Sequence, residues 1–142
     1  MTIHQISIFL ENKYGKLSEI LALLGKEHIR IIAATVADTS EFGILRMIVS
    51  SPKKAYSILK DNNVNVSLSD VLAIIITEST ADTFASTLQL FTKAGLSIEY
   101  MYCFSVKDRF LLILRVNNRD VALDVIRRNN LEYITKNELI NL

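Results

Sequence analysis

Cysteine, blocks of one charge and long apolar runs are all scarce in this sequence, and each scarcity excludes a class of protein. The single cysteine, Cys103, allows no intrachain disulfide. Sixteen basic residues against fifteen acidic ones give a net charge of +1, so nucleic acid and acidic membrane surfaces are poor candidate partners. Neither a signal peptide nor an apolar run of about eighteen residues occurs. We therefore expect a soluble protein of a reduced compartment, most simply the cytoplasm.

The segment from Ile6 to Ala33 predicts a strand, a glycine turn, a helix and the start of a second strand. Ile6, Ile8 and Leu10 alternate as a half-buried strand requires. Gly15 closes the turn, where a positive φ or a close backbone approach is easy for glycine. The helix follows from an apolar stripe at i, i+3, i+4 and i+7, formed by Leu17, Ile20, Leu21 and Leu24.

The rest of the first half completes a βαββαβ pattern. Strands are predicted for 29–39, 42–49 and 64–68, and Ser51-Pro52 begins a second, shorter helix. The pattern then starts again sixty-seven residues later without a gap, so that Ile8 falls on Ile75 and Gly15 on Asp82. In the second copy we expect strands at 71–77, 96–105, 109–116 and 131–135, helices at 80–94 and 119–128, and a capping box of Ser79 and Asp82.

These elements predict an α+β fold of two ferredoxin-like βαββαβ domains in tandem, residues 1–69 and 70–142, with antiparallel sheets and helices on one face. Leu68-Ser69-Asp70 is the expected connection. Because each copy is small and buries a thin core, we expect the two copies to pack together.

Catalytic and metal-binding side chains do not form a recognisable pattern. His4 and His28 are isolated, so a metal site is not expected, and no cofactor is implied. Cys103 lies in an apolar strand and is interpreted as a core residue rather than a nucleophile. Tyr100, Tyr102 and Phe104 share one face of that strand, as in RNA-binding sheets, but basic residues do not surround them. We therefore expect no enzymatic activity.

The strand, the turn Glu11-Asn-Lys-Tyr-Gly-Lys-Leu17 and the following helix resemble the opening of an ACT domain, a small regulatory module of amino-acid metabolism. Gly15 and Leu17 match the usual motif, whereas Tyr14 stands where proline is common. In the second copy, Asp82 and Phe84 stand at the glycine and leucine positions. The two copies of the pattern together cover nearly the whole chain. This arrangement is similar to that of tandem ACT pairs without a catalytic domain.

The resemblance implies an amino-acid sensor whose ligand binds at an interface between ACT domains. Backbone donors at the turn would hold the carboxylate, and oxygens would hold the ammonium. The candidate ligand-binding residues are Asn12, Lys13, Tyr14, Gly15, Lys16 and Leu17 at the turn, with Ile31, Ile32 and Ala33 in the adjacent strand. A purely structural alternative is that Gly15 only shapes the turn and Asn12 caps the helix.

Three functional alternatives differ in what the protein binds. The first is the sensor, which binds a free amino acid, forms a homodimer and acts on an amino-acid metabolic enzyme. The second is a regulatory subunit of an amino-acid biosynthetic enzyme that has no ligand of its own. The third and most remote is a single-stranded nucleic-acid binder. The asymmetry between Gly15 and Asp82 predicts one principal ligand site per chain.

Overall fold

The structure, a computed structural model, describes residues 2–11, 15–38 and 41–141. It divides into two compact units, one of residues His4–Ser69 and the other of residues 1–3 and Asp70–Leu142. Each unit has the predicted ferredoxin-like arrangement of antiparallel strands and helices. None of the helices in these ranges combines the length and the apolar character needed to cross a membrane.

The described residues of the first unit form two helices and four strands. Its elements are β1 (Thr2–Glu11), α1 (Lys16–Lys26), β2 (Ile31–Asp38), β3 (Phe42–Val49), α2 (Pro52–Asp61) and the beginning of β4 (Val66–Ile76). The strand order is β2-β3-β1-β4, and β3 is antiparallel to both of its neighbours. Glu11 pairs with Phe42 at one end of the sheet, and Ile31 pairs with Val49 at the other. These two ends carry different parts of the predicted site.

The core of the first unit lies where one face of the sheet meets the two helices. Alternate residues of β1 and β3 are buried there with the apolar stripes of the helices: Ile6, Ile8, Leu10, Leu45, Met47, Val49, Ile20, Leu24, Ala55 and Leu59. Pro52 occupies the first position of α2, where a backbone N–H would have no hydrogen-bond partner within the helix, so the lack of an N–H in proline costs nothing. The periodicities in the sequence therefore predict most of the buried positions, but Leu17, which the pattern places on the apolar stripe of α1, is 38% exposed.

The second unit repeats this plan and adds a short helix. Its elements are the rest of β4, α3 (Ala81–Lys93), β5 (Ile98–Val106), β6 (Arg109–Val116), α4 (Arg119–Arg128) and α5 (Lys136–Ile140). The strand order is β4-β6-β5, again antiparallel. The strand predicted at 131–135 is reduced to one bridge between Ile74 and Tyr133. Helix α5, which the sequence analysis missed, begins with a capping box of Thr135 and Glu138.

The predicted connection between the two copies is wrong. Leu68, Ser69 and Asp70 lie inside β4, which is one strand of 11 residues. The boundary between the two compact units, after Ser69, therefore falls within a strand rather than in a loop.

The sixty-seven-residue repeat holds for most elements but fails for the first strand of each copy. Helices α2 and α4 correspond at that spacing, as do β3 and β6, and β2 and β5 carry matching register shifts. The buried residues of the first strands, however, are Ile6, Ile8 and Leu10 in one copy and Leu72, Ile74 and Ile76 in the other. Ile8 therefore corresponds to Ile74, and the ungapped match of Ile8 to Ile75 is wrong by one residue.

The predicted capping box of Ser79 and Asp82 is also wrong. The N-cap of α3 is Thr80, whose hydroxyl accepts a hydrogen bond from the backbone N–H of Thr83 at 3.2 Å. Helices α1 and α3 end sixty-seven residues apart, at Lys26 and Lys93, but α3 is two residues longer at its start. Asp82, which matches Gly15 at that spacing, therefore lies inside the first turn of α3, and the N-cap position is taken by Thr80. The two helices therefore differ in their N-cap residues, which are glycine in α1 and threonine in α3.

Candidate functional site

Gly15 forms the N-cap of α1 in a left-handed conformation, with φ 79° and ψ −3°. A residue with a Cβ is strained in this region, so the conformation favours glycine. An added Cβ would have no described atom within 4 Å, so the described residues leave the space beside Gly15 open. The backbone conformation, rather than crowding, is what makes glycine suitable here.

The start of α1 differs from the helix starts of the second unit, where Thr80 and Asn118 cap α3 and α4 with their side chains. Gly15 has no side chain that could accept from the first N–H groups of α1. Its carbonyl oxygen accepts hydrogen bonds from the N–H of Glu19 at 3.1 Å and from the Ser18 hydroxyl at 3.0 Å. Among the described residues, no side-chain oxygen caps this helix N-terminus, and such a terminus is a favourable place for a carboxylate.

A cavity of about 320 Å³ opens at this end of the first unit. Residues of β1, α1, β3 and the loop before β4 line it: Phe9, Leu10, Glu11, Lys16, Ile20, Phe42, Asn63, Val64 and Asn65. The loop is held to β1 because the N–H of Phe9 donates to the carbonyl oxygen of Asn65 at 3.0 Å. This volume lies at the lower end of the range of about 300–1,000 Å³ that is typical of small-molecule sites.

Two opposite charges line this cavity. Glu11 ends β1, and Lys16 begins α1. The Lys16 ammonium lies 3.9 Å from the Glu19 carboxylate, and both side chains are largely exposed. Such a surface ion pair contributes little in water, so Lys16 can exchange it for the carboxylate of a ligand at small cost.

The predicted site residues do not all come together. Asn12, Lys13 and Tyr14 lie outside the described residues, and Gly15, Lys16 and Leu17 stand together at the start of α1. The predicted strand segment Ile31, Ile32 and Ala33 begins β2 at the opposite end of the sheet. About seven strand residues, at roughly 3.3 Å each, separate the two ends. Within one unit, the start of β2 therefore does not reach the glycine turn.

Sequence reasoning missed several residues that line the cavity. Phe42 reaches it through the pairing of β3 with β1, and Asn63 and Asn65 reach it through the loop between α2 and β4. Each lies far along the chain from Gly15, and no local pattern singles them out. The one available signal was the clustering of amide side chains at 62–65.

The second unit does not repeat the chemistry of this cavity. Thr77 stands at the position of Glu11 in the first strand, the first residue of the helix is Ala81 instead of a lysine, and Arg109 stands at the position of Phe42. Among the described residues, the pair of opposite charges beside a helix start with a glycine N-cap is therefore found in the first unit.

The aromatic residues of β5 lie on one face, as predicted, and are half-buried: Tyr100, Tyr102 and Phe104. Cys103 lies on the other face and is exposed, so its interpretation as a core residue is wrong. Partial burial nevertheless raises the pKa of the Cys103 thiol through desolvation, which leaves little thiolate at neutral pH. Across residues 2–11, 15–38 and 41–141, no group of three or more His, Cys, Asp or Glu side chains could hold a metal ion.

The chain contains two ferredoxin-like units, and a glycine turn precedes the first helix. These features are those of a protein with two ACT domains in tandem, the class that the sequence resembles. The chain belongs to the ACT domain pair family, whose sequence profile matches residues 1–142. No curated protein sequence matches the chain.

Solved structures with the same fold include one relative at substantial sequence identity. A protein from Bacteroides thetaiotaomicron is 37% identical, with a TM-score of 0.91 over 100% of this chain and 98% of that chain. The ligand-free regulatory subunit of aspartate kinase from Thermus thermophilus is 16% identical, with a TM-score of 0.63 over 88% and 91%. Aspartokinase III of E. coli, in complex with lysine and aspartate, is 13% identical, with a TM-score of 0.52 over 89% and 31%. These last two similarities concern the fold alone.

Proposed function

We propose that the chain is a regulatory protein that binds a free amino acid and catalyses no reaction. The observation that carries this proposal is the left-handed Gly15 N-cap, which has no capping side chain of its own, beside a cavity lined by Glu11 and Lys16. An α-amino acid bears a carboxylate and an ammonium on one carbon, so its site needs N–H or cationic donors for one and oxygen acceptors for the other. The first unit offers both within one cavity.

We propose residues 1–69 and 70–142 as the two ACT domains, in keeping with the boundary of the compact units after Ser69. The ligand would bind at the turn residues 12–17, at an interface with another ACT domain. Ile31, which is 43% exposed, would contact it with Ile32 and Ala33 only from such a neighbouring domain, since these residues cannot reach the turn of their own unit. Asn12, Lys13 and Tyr14 remain part of this proposal.

The mechanism would be thermodynamic linkage. A ligand that binds one arrangement of the domains better than another shifts the equilibrium by its difference in affinity, and no further. The output would pass to an amino-acid metabolic enzyme in the cytoplasm. Fold similarity to regulatory subunits of aspartate kinase supports a role of this kind.

A second candidate function is an interaction module without a ligand of its own. It is favoured by large apolar side chains that are about half exposed in the first unit, namely Phe9 at 48%, Val36 at 48% and Phe42 at 55%. These side chains would dock on an enzyme or on a second copy of the chain. Nucleic-acid binding has no comparable support, because the rings of β5 are half-buried.

A thermal-shift screen of the twenty amino acids distinguishes the two candidates. A ligand at one hundred times its Kd stabilises the protein by about 2.7 kcal/mol, which raises the melting temperature measurably. The Gly15→Val variant should lose this stabilisation because the β-branched residue strains the turn and fills ligand space. Unchanged affinity in a folded Gly15→Val variant would exclude the turn as the site, and the absence of any shift would favour the interaction module.

A further inference from the structure

The cavity beside Gly15 has a strongly apolar wall. Ile20 and Leu10 line it and are only 1% and 7% exposed, while Phe9 and Phe42 line it and are 48% and 55% exposed. Two half-exposed phenylalanine rings are unfavourable in water, and a bound apolar group would remove part of that surface from solvent. Val64, which is half-buried, completes this wall.

The polar part of the cavity matches a zwitterion and no additional charge. Among the described residues that line the cavity, Glu11 and Lys16 alone are charged, and Asn63 and Asn65 supply neutral amides. An ammonium at Glu11 and a carboxylate at Lys16 would use both charges. A charged ligand side chain would then be desolvated against apolar groups without a counter-charge, which is costly.

We infer that the amino acid recognised by the first unit has a large apolar side chain, either aromatic or branched aliphatic. Its side chain packs against Phe9, Phe42 and Ile20, its ammonium contacts Glu11, and its carboxylate contacts Lys16 and the first turn of α1. This inference rests on the proposed function and narrows its ligand class. It sets this chain apart from the aspartokinase III structure that contains lysine and aspartate.

Calorimetric titration of the full chain with L-leucine, L-phenylalanine, L-lysine and L-aspartate tests the ligand class. L-leucine or L-phenylalanine should bind at least about tenfold more tightly than either charged amino acid, the discrimination expected from an apolar pocket. Tighter binding of L-lysine or L-aspartate would overturn this inference and leave the proposed function intact. Absence of binding by all four would overturn this inference, and the absence of a thermal shift with any of the twenty amino acids would overturn the proposed function as well.

A pair of matched variants tests the residues of the cavity. Phe42→Ala should weaken the binding of the preferred apolar amino acid about tenfold or more. Met101→Ala removes a similarly exposed apolar side chain, 42% exposed on β5 of the second unit, and should leave the affinity unchanged. Equal affinity in the two variants would contradict the inference, and Phe9→Ala provides an independent repeat of the test.

A ligand derivative that lacks the ammonium group tests whether Glu11 contacts that group. Glu11→Gln should weaken the binding of L-leucine, whereas N-acetyl-L-leucine should bind the wild type and Glu11→Gln equally, since it has no ammonium for the carboxylate to contact. An equal loss for both compounds would show that Glu11 acts only on the structure of the site, and would overturn its assigned contact.

Discussion

Gly15 and Gly25 lie ten residues apart in sequence, yet the backbone gives them opposite roles. Gly15 has a φ of 79° at the N-cap of α1, whereas Gly25 lies inside the same helix. At neither position would an added Cβ have a described atom within 4 Å. Any difference between substitutions at the two positions must therefore come from the backbone conformation and not from crowding.

We expect Gly15→Ala to destabilise the protein by about 1–2 kcal/mol, because an L-residue is strained in the left-handed region. Gly25→Ala should stabilise it by roughly 0.5–1 kcal/mol, because alanine loses less conformational freedom in a helix. Urea denaturation of the two variants measures both changes. Equal stability of the two variants would contradict the left-handed turn.

Cys103 gives a pH-dependent prediction. Desolvation raises the pKa of its thiol in the folded state, so less thiolate is present at any given pH than in the unfolded chain. Alkylation by iodoacetamide at pH 8 should therefore be slower in the folded protein than in urea, and should accelerate as the pH rises. A folded protein that reacts at pH 8 as fast as the unfolded chain would contradict the raised pKa.

At the scale of elements, periodicity predicted the types and faces of most strands and helices but not every register. Alternation identifies the buried face of β1, because Ile6, Ile8 and Leu10 are aliphatic and the residues between them, one of which is polar, are not. In β4 the run Ile74-Ile75-Ile76 does not alternate, so the sequence pattern does not show which of these isoleucines face the core. The ungapped match of the two copies therefore placed the wrong isoleucine opposite the buried residue of β1. Only packing in the second core decides that Ile74 and Ile76 point inward.

The sequence predicts two strands where the structure has the single strand β4, because the residues that contact its middle lie far away in sequence. Ser69 and Asp70 are polar and predict a turn, yet the Arg115 guanidinium donates to the Asp70 carbonyl oxygen at 2.6 Å. Arg119 donates to the Asp70 carboxylate at 3.1 Å. Both partners lie more than forty residues away in sequence, where no local pattern reveals them. Helix α5, with 5 residues, is similarly too short to show an apolar period, although its Thr135 and Glu138 have capping-box spacing.

The candidate site was predictable only where it is local. Gly15, Lys16 and Leu17 follow from the turn and the helix that it begins, whereas Phe42 and Asn65 reach the cavity through strand pairing and a distant loop. The same strand pairing separates the β2 segment from the turn. The residues next to the start of α1 in sequence could therefore be predicted as one wall of the site. The residues of the opposite wall, which come from distant parts of the chain, could not.

The start of α3 gives a prediction at the scale of one element. Thr80→Ala should destabilise the protein by about 0.5–2 kcal/mol, because it removes the oxygen that accepts from the N–H of Thr83. Ser79→Ala should change the stability by less than about 0.5 kcal/mol, as expected for a surface substitution. A larger loss for Ser79→Ala than for Thr80→Ala in urea denaturation would restore the capping box at Ser79.

At the scale of the whole molecule, we expect two chains to associate. The exposed apolar side chains of the first unit include Phe9, Val36 and Phe42, and burying them in an interface would be favourable. Light scattering should report a homodimer at roughly tens of micromolar, a concentration at which a specific interface is occupied. A monomer at that concentration would argue strongly against the predicted assembly.

The central claim is that the first unit binds an amino acid at its glycine turn and that the second unit, with Thr80 as its cap, does not. A carboxylate at the start of α3 would have to displace the Thr80 oxygen and would meet the nearby charge of Asp82. Titration calorimetry with the amino acid that gives the largest thermal shift tests this most directly. We predict one binding site per chain, whereas two equivalent sites per chain, or no measurable binding, would contradict it.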